Sequence, residues 1–98
     1  MLRLEPARRR LEILLLGAHS DDIEIGCGGT VLELLERYPG SVVTWVVLSA
    51  GGARTKEARS SSRRFLSAAR RSEVLVHGFR TSFFPDEWKG IKECFETL

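Results

Sequence analysis

A chain of 98 residues has room for one domain at most. Its 43% hydrophobic and 29% charged residues are those of a globular chain, and two cysteines cannot build a disulfide framework. A formal net charge of +2 makes no demand for nucleic acid, and no apolar run approaches the roughly 18 residues of a membrane span.

Residues 1–10 read as a polar lead-in that ends in Arg8, Arg9 and Arg10. The apolar run behind them is interrupted by Glu12 and is not closed by a small-residue cleavage pattern. It is therefore not read as a secretory signal, and the expected location is cytoplasmic. Residues 11–18 are long and apolar enough for a buried strand of a parallel sheet. Gly26, Gly28 and Gly29 then punctuate the chain. Residues 30–38 have helical spacing, with apolar side chains at 31, 32, 34 and 35, and Pro39-Gly40 ends the run. The valine-rich segment 41–49, with Trp45 in its core, predicts a second buried strand.

Residues 54–71 predict a helix with Ala58, Ser62, Phe65, Leu66 and Ala69 on one face and arginines on the rest. Residues 73–79 predict a third strand, 81–85 a loop, and Asp86 an N-cap for a last helix. The order β-α-β-α-β-α implies an α/β, Rossmann-like, three-layer fold built on a parallel sheet, the first half of a doubly wound arrangement.

The chemistry concentrates in His19-Ser20-Asp21-Asp22-Ile23-Glu24, where the first strand ends. Ligands of open α/β sheets bind beyond the carboxyl ends of the strands. Imidazole and carboxylate together suit zinc, which takes three protein ligands and a water in catalytic sites. His19 and Asp22, three apart on a tight turn, can point to one place, and Asp21 is then a candidate general base for a metal-activated water. The competing reading is helix capping, which equally favours aspartate near a helix start. Glu24 reads as a turn residue. The Gly26-Cys27-Gly28-Gly29 segment follows acids that would repel a pyrophosphate, so close helix–sheet packing explains it better than phosphate binding. Cys27 and Cys94 read as packing residues. The arginine-rich helix reads as a solvated face, with attraction of anionic substrates as its functional alternative. Phe83, Phe84 and Trp88 could stack on a sugar ring or bury against the last helix.

The segment HSDDIEIGCGG strongly resembles the signature of the LmbE-like, or PIG-L, family of zinc-dependent N-deacetylases, which usually has His-Pro-Asp-Asp here. The likeness extends to Val46–Gly52 (VVLSAGG), to Arg54-Thr55-Lys56-Glu57-Ala58 and to FRTSFFP at 79–85, and so covers nearly all of 11–98. It implies His19 and Asp22 as ligands of one Zn2+, Asp21 as general base and Arg54 at the substrate mouth. The implied reaction removes the N-acetyl group from an N-acetylglucosamine-type conjugate, a small-molecule substrate. A homo-oligomer is expected, with no nucleic acid or membrane span.

The family draws its third zinc ligand from a later His-rich segment. The chain is accordingly expected to be the N-terminal part of a single deacetylase domain, or else a truncated, non-catalytic metal-binding or interaction module. The implied strand order is 3-2-1-4-5. That order puts His77 two strands from the first, ~10 Å away at ~4.8 Å per step, too far for a third ligand. It also makes the site-bearing strand an exposed edge in this chain.

Overall fold

The computed structural model describes residues 10–80 and 84–98. The lead-in up to Arg9, and Thr81, Ser82 and Phe83 of the expected loop, lie outside the described residues. Six elements follow one another: β1 (Glu12–His19), α1 (Asp22–Arg37), β2 (Val42–Ser49), α2 (Ala53–Leu66), β3 (Arg71–Val76) and α3 (Trp88–Glu96). The three strands are parallel in the order β1-β2-β3, which is the Rossmann-like α/β arrangement expected.

β2 is the central strand, and it reads as a near-continuous apolar run because both of its faces are covered. Val43, Trp45, Val46 and Val47 are all fully buried. In register, Leu15, Trp45 and Val74 lie side by side across the sheet. This face packs on α1 and α2 through Ile23, Val31, Leu35 and Leu66, and the Trp45 ring meets Phe65 of α2 at 6.1 Å. Side chains alternate along a strand, so Leu14, Thr44 and Val46 point the other way. There α3 brings Cys94 against His77, and Leu98 borders a shallow hollow with Leu14 and Thr44. Helices therefore stand on both faces of the sheet.

Among the described residues β1 pairs with β2 alone, and its outward Leu14 and Leu16 are each 49% exposed. The expected exposed edge is present. At the opposite end of the sheet, the fully buried Ser41 ties the chain together. Its hydroxyl donates to the Tyr38 carbonyl (2.6 Å) and accepts from the Leu11 N–H (2.8 Å), fixing the start of β1 against the end of α1.

Several boundaries differ from the sequence reading. α1 begins at Asp22, not at residue 30, and carries all three glycines, with a kink at Cys27 (φ −148°, ψ 16°). The close approach at Gly28 is helix on helix, not helix on sheet. A Cβ there would lie 2.6 Å from Cε1 of Phe65, whereas one on Gly29 would meet nothing within 4 Å. α2 stops at Leu66, and β3 begins at Arg71, because the Arg70 N–H already bonds the Ser41 carbonyl. The cap of α3 is Glu87 rather than Asp86. Gly52, which precedes α2, has φ +60°, a conformation that a side chain would strain.

These contacts set opposite signs for two neighbouring substitutions. Gly28→Ala should lower unfolding stability by about 1–3 kcal/mol through the clash with Phe65. Gly29→Ala, in open space on the same helix, should raise it by about 0.5–1 kcal/mol. Urea denaturation of both variants checks the pair.

Candidate functional site

β1 delivers His19 to the carboxyl end of the sheet, beside Ser49 of β2 in register. Ser20, 8% exposed, and Asp21 make the turn, and α1 starts at Asp22. The turn is closed by the Asp22 side chain. Its Oδ2 accepts from the His19 backbone N–H at 2.9 Å and lies 3.3 Å from Nδ1 of the His19 ring. The two side chains remain 45% and 48% exposed. The structure thus brings together the two candidate ligands, with an imidazole nitrogen and a carboxylate oxygen converging at a solvent-facing point.

Asp21 occupies the N-cap position of α1, yet its side chain makes no capping hydrogen bond and is exposed. The capping alternative therefore does not account for Asp21. Its backbone carbonyl accepts from Ile25 N–H at 3.1 Å, which fixes the residue at the mouth of the turn. Glu24 follows in the first turn of the helix, where the helix dipole favours acids. Both of its carboxylate oxygens are shielded from water and have no hydrogen-bond partner among the described residues.

Arg54 lies in the first turn of α2, after the carboxyl end of β2, on the same edge of the sheet as His19. Its side chain is exposed and makes no ion pair with the acids of the motif among the described residues. His77 is engaged elsewhere. Its Nε2 lies 3.2 Å from Sγ of Cys94, and its ring stacks on Phe79 at 5.6 Å, two strands from β1. Cys94 thus packs against a histidine. Among the described residues, no three His, Cys, Asp or Glu side chains form a group able to hold a metal ion.

One neighbour was open in the sequence. Phe84 stacks on the His19 imidazole, with ring centroids 6.3 Å apart and planes 13° from parallel. A sequence separation of 65 residues carries no signal of this contact; only the FRTSFFP likeness points to the segment at all.

The chain matches the family described as PIG-L: GlcNAc-PI de-N-acetylase over residues 14–78. The chain belongs to that family. The matched stretch runs from β1 through the end of β3 and contains the whole turn that carries His19, Asp21 and Asp22. Among curated relatives, a protein of Escherichia coli (strain K12) described as the uncharacterized deacetylase YaiS is 40% identical over 52 residues. That alignment covers 53% of this chain and 27% of YaiS, so the chain spans about a quarter of that relative's length. No solved structure matches the chain significantly.

The Asp22 carboxylate holds the turn of this PIG-L chain as well as facing the His19 ring. Asp22→Ala should therefore cost about 0.5–1.5 kcal/mol of stability, while Asp22→Asn, which keeps an acceptor oxygen, should retain most of it. Equal losses in urea denaturation would remove Asp22 from the turn.

Proposed function

We propose that the strand-end turn is the water-activating half of a zinc-dependent N-deacetylase site, acting on an N-acetylglucosamine-type conjugate. The observation that carries this reading is the convergence of His19 Nδ1 and Asp22 Oδ2 at an exposed point, next to an Asp21 whose side chain caps nothing. Family membership supports amide hydrolysis as the reaction.

Imidazole and carboxylate are a suitable donor set for zinc, so His19 and Asp22 would hold the ion. When bound, the ion supplies Lewis acidity toward a water and an acyl oxygen. The protein's own part is positional. Asp22 fixes the His19 backbone by accepting its N–H, and Phe84 backs the His19 ring from its face. Asp21 takes the proton of the attacking water and returns it to the departing amine, as a general base and then an acid. Arg54, at the same edge of the sheet, binds an anionic part of the substrate.

A second reading has an observation in its favour. The described residues supply two donors, where a catalytic zinc takes three. On that reading the chain is a metal-binding or interaction module without turnover.

Zinc content per chain and acetate release from N-acetylglucosamine conjugates separate the two. On the enzymatic reading Asp21→Asn lowers turnover by about a hundredfold to ten-thousandfold with zinc retained. His19→Ala loses zinc and activity together. Zinc bound stoichiometrically without acetate release selects the module, and activity that survives both substitutions overturns the site assignment.

A further inference from the structure

Beyond Arg54, the outer face of α2 is strongly basic and has no role in the strand-end site. Lys56, Arg59, Arg63 and Arg64 are all exposed, against a single acid, Glu57, on the same helix. Among the described residues the ion pairs are His19–Asp22 and Arg37–Glu33, and none of these four cations is paired. Arg59 spends one donor on the Val74 carbonyl of β3 (3.1 Å). Lys56, Ser60 and Arg64 fall four apart on one row, bordering a shallow groove. The opposite face of α2 is already committed to the core through Ala58, Ser62 and Leu66.

We infer that this face of α2 docks the protein on an anionic phospholipid bilayer. The occupant follows from charge complementarity and shape. From Lys56 to Arg64 the helix presents its cations along about 12 Å, a patch suited to a flat anionic sheet. Clusters of four to eight basic residues on a helix are the pattern that phosphatidylserine-rich surfaces attract. Single-stranded nucleic acid would call for aromatic stacking platforms among the cations, and the exposed face carries none, since Phe65 of α2 packs on Trp45. With the apolar face of α2 buried, the contact is electrostatic adsorption, with no side chain inserted into the lipid. The inference is independent of the deacetylase reading and needs no catalysis to be tested.

Co-sedimentation with vesicles tests it. The chain should bind vesicles of phosphatidylcholine with phosphatidylserine, release from them as salt is raised, and ignore vesicles of phosphatidylcholine alone. Each neutralised cation should weaken binding about fivefold, so the triple variant Lys56→Gln, Arg63→Gln, Arg64→Gln should lose about a hundredfold. Arg37→Gln on α1, which removes a charge already paired with Glu33, should bind like the parent chain. Circular dichroism shows whether the triple variant keeps its fold; the substituted side chains are all exposed. Equal binding to neutral vesicles, an unaffected triple variant, or tighter retention by a DNA duplex than by anionic vesicles at the same salt would overturn the proposal.

Discussion

The parallel pairing of β1 with β2 carries the rest of the structure, because β2 is the strand shut off from water on both faces. Val43, Trp45 and Val47 commit one face to α1 and α2, and Val46 is equally buried on the other. A strand so placed must have neighbours for its backbone, and the register it imposes ends β1 at His19, opposite Ser49. The position of the imidazole is thus set by core packing several residues away. The same register ends β2 at Ser49, and the Gly51 and Gly52 carbonyls accept the N–H groups of Arg54 and Thr55, so that α2 starts at the same carboxyl end of the sheet.

At that edge, local structure and chemistry draw on the same atoms. A tight strand-to-helix turn leaves backbone N–H groups without helical partners. Here the Asp22 carboxylate satisfies the N–H of His19 and faces its ring at once. The turn is therefore held by a side chain that the proposed chemistry also requires. Phe84 adds a flat wall on the other side of that ring. Among the described residues the Asp21 side chain makes no capping bond at the mouth of this turn, which fits the proton-handling role proposed for it.

The order of elements was legible because each apolar run has the period of the element it became, and the motif was legible because its residues are contiguous. What was not legible depended on contacts between distant parts. Gly26, Gly28 and Gly29 read as breaks, but they lie inside α1, and only Gly28 has a packing reason, since Phe65 of another helix occupies the space its Cβ would need. The third strand reads from residue 73, two residues late, because Arg71 and Ser72 are exposed and show no alternation; their pairing with Val42 and Val43 places them in the sheet. The stacking of Phe84 on His19 has no local pattern at all.

Where local rules fail is informative in itself. Two buried polar side chains lack partners among the described residues: the indole N–H of Trp45 and the carboxylate of Glu24. The first is a neutral donor in the densest part of the core, and its loss is of the ordinary size for one unmade hydrogen bond. The second is harder to accommodate, because a shielded carboxylate loses its hydration without compensation. The positive end of α1 offsets part of that loss, typically by about 0.3–1 kcal/mol. The remainder falls two residues after Asp22 and three before the kink at Cys27. Departures of this kind are expected at functional sites, where stability is given up for placement of chemical groups. In this chain the kink and the carboxylate unpartnered among the described residues both fall on the first two turns of the helix that opens at the proposed site.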